Sequence, residues 1–364
     1  MVNILFVTGS LSLNGTETFI MNVYRCLDKT KFHADFLLSN GKRTCYYEEV
    51  ESNGSRIYLC SSRREAPVKS YLELYRFFKQ TGKRYDALHY CCGSLTSIAP
   101  IIFACLFGIP VRIIHAHNSN CTGLHNKILH FLQCPIANIL ATHRLACSDK
   151  AANFFSSFSK KYIILNNGVD VNKFSFNREK RNFVRKTFGI SDNEIVIGHV
   201  GRFNIVKNHS FILRIFSSYL RENPKSRLML IGEGELEGNI KELAKDLGLM
   251  EHVMFLGLRQ DIPDLLQAMD LFLMPSIFEG LPFVLVEAQS SGLPCVISDR
   301  IDKNVDITNN VVFLGLDQPY DRWSFEMTRI LNKYKRGKTD ELINKAGYSV
   351  LSTTKILEKI YQQE

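Results

Sequence analysis

Two glutamates eight positions apart, Glu279 and Glu287, bound the run Ser276-Ile-Phe-Glu-Gly-Leu-Pro-Phe-Val-Leu-Val-Glu. Pro282 reads as the opening of a helix, because proline suits a first turn whose N–H would be unpaired anyway. The free N–H groups of Gly280, Leu281, Phe283 and Val284 then face whatever lies over the helix end, and the dipole there favours an anion. A phosphate on those amides, flanked by two carboxylates that accept from hydroxyls, is what a nucleotide sugar requires. The same glutamates also suit a plain surface role near a helix start, worth ~0.3–1 kcal/mol.

A second group is Gly201-Arg202-Phe-Asn-Ile-Val-Lys207-Asn-His209. Arg202 directly follows an apolar strand, and Lys207 precedes a helix for which Asn208 is the expected N-cap. Two cations converging there would hold a diphosphate and stabilise it as it leaves. A third group, Ile231-Gly232-Glu-Gly234-Glu-Leu-Glu, imitates a dinucleotide fingerprint with altered spacing. Glu233, Glu235 and Glu237 would repel a pyrophosphate, so a tight turn beside a base or ribose is the expected role. A fourth is Arg112-Ile-Ile-His115-Ala-His117-Asn118, where alternation sends both histidines to one face at a strand tip. No third ligand stands at metal-site spacing from them, so zinc is not expected. Gly9-Ser-Leu-Ser-Leu-Asn-Gly15-Thr16-Glu17 lacks the G-K-[ST] of a P-loop and reads as backbone close to a phosphate or sugar, or as a simple turn. The chain has no D-x-D, which disfavours a metal-dependent transfer site.

Positioning these groups requires strands that end beside them. Short apolar runs occur at 3–8, 33–38, 56–60, 86–90, 111–115, 144–147 and 162–165, then at 195–200, 227–231, 252–256, 270–274, 294–298 and 311–314. Stretches of helical period, such as 211–220 and 240–247, lie between them. Alternating β and α with near-continuous apolar strands predicts parallel sheets covered on both faces. Two series predict two doubly wound α/β domains, residues 1–176 and 177–349, with a joint near Asn166-Asn-Gly-Val-Asp170. Ligands of such folds bind beyond the carboxyl ends of the strands, which places all five groups on an expected cleft between the domains.

The 364 residues suffice for two such domains without disulfides or structural metal. The ten cysteines include no C-x-x-C pair and read as reduced residues, mostly of the core, in a cytoplasmic protein. The longest apolar run, 98–111, is too short for a membrane span and is broken by Pro100, Gly108 and Pro110. Residues 1–176 hold 20 Lys+Arg against 11 Asp+Glu, while the remainder is balanced at 25 against 25. The whole surplus of +9 therefore marks the first half as the side that meets something anionic. No nucleic-acid recognition motif accompanies it.

The order of these motifs, with Phe-Leu-Gly-Leu258-Arg259-Gln-Asp and Met-Pro-Ser-Ile-Phe-Glu-Gly-Leu-Pro between them, resembles the retaining GT-B glycosyltransferases of family 4, whose E-x7-E signature falls on Glu279 and Glu287. The likeness covers about 195–300 most strongly and looks closest to bacterial capsular or exopolysaccharide members. It implies a hexosyltransferase of two Rossmann-like domains, the first binding the acceptor and the second a nucleotide-diphosphate sugar, with UDP the family's habit. It implies Arg202 and Lys207 on the diphosphate and Glu287 on the ribose. Glu279 would hold the transferred sugar beside the Gly280, Leu281 and Phe283 backbone, with Leu258 and Arg259 at the base. Gly15, Thr16 and Gly232 would lie near the donor, and His117, or else His115, at its sugar. No metal or other cofactor is implied. The final helix, about 350–364, would cross back to the first domain through Ile356, Leu357, Ile360 and Tyr361, capped within Ser352–Thr354. A lipid-diphosphate-linked or saccharide acceptor is expected. Docking on the anionic inner face of the cell membrane is expected too, through the basic helix around Tyr71–Phe78 and the apolar stretch 124–140. The alternatives are a nucleotide-sugar epimerase of the same shape, a nicotinamide oxidoreductase carried by Gly232-x-Gly234 alone, and a non-enzymatic scaffold.

Overall fold

The computed structural model describes residues 1–12, 15–39, 43–121, 123–156, 161–279 and 282–363. The chain divides into two compact units, Met1–Gly168 with Gly347–Glu364, and Val169–Ala346. The division falls before, not after, the short helix Val171–Phe174, because Asp170 caps that helix on the Lys173 N–H and Phe174 takes a hydrogen bond on its carbonyl from Gln267 of the second unit.

The first unit is built on a seven-stranded parallel sheet in the order β3-β2-β1-β4-β5-β6-β7. Its strands are β1 Val2–Thr8, β2 Phe32–Leu38, β3 Ile57–Leu59, β4 Ala87–Cys92, β5 Val111–Ala116, β6 His143–Ala146 and β7 Ile163–Ile164. The central strand shows why an unbroken apolar run was needed. Ile4 and Phe6 enter one core with Phe19, Phe36 and Tyr361, while Leu5 and Val7 enter the core on the other face with Leu88 and Ile114. A strand covered on both faces has no solvent side to keep polar.

The second unit repeats the plan with six parallel strands in the order β10-β9-β8-β11-β12-β13. These are β8 Ile195–Val200, β9 Ser226–Ile231, β10 Val253–Phe255, β11 Leu271–Met274, β12 Cys295–Ser298 and β13 Val311–Leu314. In both sheets the winding reverses once, between β1 and β4 and between β8 and β11. Loops leaving the carboxyl ends of strands at such a reversal splay apart, which makes the crevice where ligands of these folds sit.

The last helix, Val350–Gln362, belongs to the first unit, where Leu357, Ile360 and Tyr361 join the core with Phe19. Ile356 does not follow them; it is 45% exposed. The N-cap is Ser349, and Thr353 and Thr354 are buried inside the helix, where the Thr353 hydroxyl donates to the Asn166 carbonyl at 3.2 Å. All ten cysteines are unpaired, but Cys45 and Cys105 are exposed and do not belong to the core. No helix among the described residues is long and apolar enough to cross a membrane.

Candidate functional site

The second unit brings two of the sequence groups into direct contact at its strand reversal. The loop 201–208 leaves β8 and the segment 275–279 leaves β11. Three hydrogen bonds fix them. The Ile277 N–H donates to the Val206 carbonyl at 2.8 Å, the Asn208 amide to the Pro275 carbonyl at 3.2 Å, and the Lys207 N–H to Asn204 Oδ1 at 3.1 Å. Lys207 Nζ then donates to Glu279 Oε1 at 2.7 Å, with both side chains largely buried. Asn208 stands at the N-cap position the sequence suggests, but its side chain does not cap the helix. It holds a left-handed backbone at φ 57° and spends its side chain on the Pro275 carbonyl instead of the helix.

Beneath this pair lie residues that the sequence motifs left unassigned. His199 on β8 donates from Nδ1 to the Leu273 carbonyl of β11 at 2.8 Å, and His209 stacks on Phe203 at 4.0 Å between ring centroids. Burial holds His199 well below its ordinary pKa and His209 down at about 4. Both rings are neutral at pH 7, so they pack under Lys207 without opposing its charge. Their alternation with the strand and their place beside Lys207 were the only signals available.

Arg202 does not converge on Lys207. Its side chain is mostly exposed, and its nearest partner is Glu235 Oε2 at 3.4 Å. The glycines of the third group serve close packing. Gly232 holds φ +136°, its N–H donates to the Gly257 carbonyl at 2.9 Å, and a Cβ there would lie 2.2 Å from the Gly201 carbonyl oxygen. A Cβ on Gly234 would lie 2.4 Å from the Phe203 carbonyl oxygen. These glycines let the strand-end loops after β8, β9 and β10 touch. Gly232→Ala is expected to cost about 1–3 kcal/mol of stability in urea unfolding, the scale of one residue forced into a disfavoured backbone region.

Leu258 is exposed, with its N–H directed at Glu233 Oε1 at 3.4 Å. Arg259 is closed bidentately on Asp261, at 2.8 and 2.6 Å. The helix after Glu279 runs Phe283–Ser290, with Pro282 at the N-cap and not inside the first turn. Phe283 is buried at its start; Gly280 and Leu281 lie outside the described residues. Glu287 is 8% exposed, and its carboxyl is shifted by burial and the charge of Lys173, with no hydrogen bond among the causes. Burial lifts its pKa to about 8, against a smaller opposing pull from Lys173.

In the first unit, Gly15 and Thr16 open the helix Gly15–Cys26 after β1. Gly15 is exposed with nothing within 4 Å of an added Cβ. Glu17, in the same turn, is buried and accepts from the Ser10 hydroxyl at 3.3 Å. The rings of His115 on β5 and of His117 just beyond it lie side by side, with centroids 4.2 Å apart, as alternation predicts. His115 is fully buried under Phe19, with ring centroids 4.9 Å apart, so it does not project from the strand tip. His117 lies beyond the strand with its N–H donating to the Cys92 carbonyl at 3.1 Å, and the residue as a whole is part-buried. Its ring nitrogens are buried without a hydrogen-bond partner among the described residues, and burial lowers its pKa to about 3. It is therefore a neutral imidazole with both nitrogens uncommitted.

Comparison with known proteins places this geometry in context. Residues 180–347 match the family model for glycosyl transferases group 1. The chain is 34% identical to EpsF of Bacillus subtilis (strain 168), described as a glycosyltransferase, over 98% of this chain and 96% of that one. It is 31% identical to the UDP-Gal:alpha-D-GlcNAc-diphosphoundecaprenol alpha-1,3-galactosyltransferase of Escherichia coli, over 76% of this chain and 72% of that one. Among solved structures, Anabaena Alr3699/HepE in complex with UDP-glucose superposes with a TM-score of 0.72 at 18% identity, covering 100% of this chain and 98% of the other. A glycosyltransferase from Rickettsia africae ESF-5 gives 0.79 at 15% identity, covering 100% and 98%. At such identities the structures speak for the fold, which is GT-B.

Proposed function

Because the chain belongs to the group 1 glycosyl transferases, we propose that it moves a hexose from a UDP-sugar to a lipid-diphosphate-linked saccharide, with retention of anomeric configuration and without a metal ion. The observation that carries this is the Lys207–Glu279 pair at 2.7 Å, at the strand reversal of the second unit. As the sugar–phosphate bond breaks, the diphosphate gains negative charge and the anomeric carbon gains positive charge. Lys207 answers the first, and the carboxylate of Glu279 holds the sugar's hydroxyls near the second. Glu287 accepts from the ribose hydroxyls, and the Leu258 backbone meets the base. In the first unit, His117 contacts the transferred sugar. The leaving phosphate takes the acceptor's proton on the face it departs from, so no separate nucleophile is required. The choice of UDP is supported by the names of the Escherichia coli relative and the HepE complex. An assay with UDP-hexoses and polyprenyl-diphosphate sugars in excess chelator tests it. The expected product is α-linked from an α-linked donor; a β-linked product, or transfer that needs a divalent ion, contradicts it.

The acceptor's lipid calls for a membrane surface. On the helix Leu124–Leu140, Leu124, Ile128, Phe131, Leu132, Ile136 and Ile139 are all exposed. The helix Pro67–Thr81 exposes Tyr71, Leu72 and Tyr75 beside Lys69, Arg76 and Lys79, and Lys83 and Arg84 follow it. Each such cation near an anionic leaflet contributes ~1 kcal/mol. The chain is expected to sediment with phosphatidylglycerol vesicles and not with phosphatidylcholine vesicles, and Phe131→Glu is expected to weaken that binding. Equal binding to both vesicle types, or none, removes the membrane from the account.

A further inference from the structure

A cluster in the first unit has no part in the transfer just described. His89 and Cys91 alternate onto the same face of β4, and the parallel register sets Cys91 beside His115 of β5. The three side chains offer ligand atoms that all lie within 4.8 Å of one another. His89 Nε2 and His115 Nδ1 are hydrogen-bonded to each other at 3.1 Å, a contact whose shared proton a metal ion would replace. All three residues are buried, at 0%, 2% and 0% exposure. Two nitrogens on one tetrahedral zinc lie about 3.3 Å apart, and sulfur and nitrogen about 3.6 Å, from the usual bond lengths. The imidazole pair already stands near that spacing, and the thiol is within a side-chain adjustment of it.

Two further observations point to a ligand. The other nitrogen of His89 is hydrogen-bonded to the Tyr361 hydroxyl at 2.6 Å, the kind of outer contact that orients a ligating histidine. Both nitrogens of the adjoining His117 are buried and unpartnered among the described residues. So many polar ring atoms in an apolar core are costly unless something engages them.

We propose that His89, Cys91 and His115 form a binding site for a zinc-class divalent ion that clasps β4 to β5 and, through Tyr361, to the final helix. Mixed imidazole and thiolate donors select this class over magnesium or calcium. On binding, Cys91 releases its thiol proton to solvent and both rings ligate as neutral imidazoles. Sequence spacing hid the site, because its ligands come from two strands that only the fold brings together.

The test uses the full chain, stripped of metal by a chelator that is then removed. The stripped chain is reloaded with excess zinc and desalted, the zinc it retains is counted by elemental mass spectrometry, and in a second sample cobalt(II) is titrated into the stripped chain while the near-ultraviolet thiolate-to-cobalt band is followed. One zinc per chain is expected, with the cobalt band lost in Cys91→Ser and kept in Cys92→Ser, whose side chain lies in the core on the other face of the sheet. Tyr361→Phe is expected to weaken the metal by about 10–100-fold. Zinc far below one per chain, or a band that survives in Cys91→Ser, overturns the site. Should Cys91→Ser lose its fold by circular dichroism, the wild type decides alone: bound cobalt without a sulfur band overturns it. None of these readouts depends on sugar transfer.

Discussion

Lys207→Ala lowers kcat for sugar transfer by about 10²–10³-fold, the scale of one lost electrostatic contact to a developing charge. The expectation rests on where the ammonium is held. Its backbone is tied by Asn204, its loop by the Ile277–Val206 hydrogen bond, and its Nζ by Glu279. A cation fixed before substrate arrives needs no reorganisation as the diphosphate leaves. Removing it also strands a largely buried carboxylate, so Glu279 loses its partner together with the diphosphate. Glu279→Gln should fall by a similar factor through the sugar hydroxyls. The double variant should lose less than the product of the two, because the residues act as one unit. Turnover near wild type in Lys207→Ala, measured on folded enzyme at saturating donor, removes the role assigned to it.

The second large effect concerns Glu287. Its carboxyl is held neutral up to about pH 8 by burial, whereas in the unfolded chain it ionises near the ordinary carboxylate value. A group whose folded pKa is raised contributes stability that is complete below its unfolded pKa and is lost as pH rises through its folded one. The apo protein should therefore lose a few kcal/mol between about pH 4.5 and 8 on this account, at ~1.4 kcal/mol per pKa unit. Glu287→Gln should flatten that slope and be the more stable form at pH 8. Donor binding runs the other way. A carboxylate accepts two ribose hydroxyls and a neutral acid does not, so UDP-glucose affinity should rise up to tenfold per pH unit between pH 6 and 8. In Glu287→Gln it should be weak and flat. Calorimetric titration at several pH values, beside urea unfolding of the apo form, measures both slopes. Slopes of the same sign would contradict the assignment.

Much of this was legible from the chain itself, for identifiable reasons. Strand positions were readable because doubly covered strands must be apolar throughout, as Ile4 to Val7 and Leu228 to Ile231 are. The Glu279 and Lys207 segments were readable because each follows such a strand directly. What alternation and spacing do not encode is partner choice. Two cations placed by sequence at one mouth separate in the structure, Lys207 to Glu279 and Arg202 to Glu235. His115 and His117 share a face by alternation, as expected, but Phe19 of a distant helix packs against both rings, which alternation could not foretell. Gly232 read as a ligand turn, while its steric demand comes from the Gly201 carbonyl on a neighbouring loop. In each case the deciding atom arrives from another element.

The most direct test of the central claim is a thermal-shift panel with UDP, GDP, ADP and NAD in excess chelator, run on wild type and Glu287→Ala. A ligand at about 100 times its Kd stabilises by ~2.7 kcal/mol, which is readily resolved. Stabilisation by UDP without metal, lost in Glu287→Ala, is the predicted result. Stabilisation by NAD alone, by no nucleotide, or by UDP equally in both proteins would contradict a metal-independent UDP-sugar donor site built around Glu287.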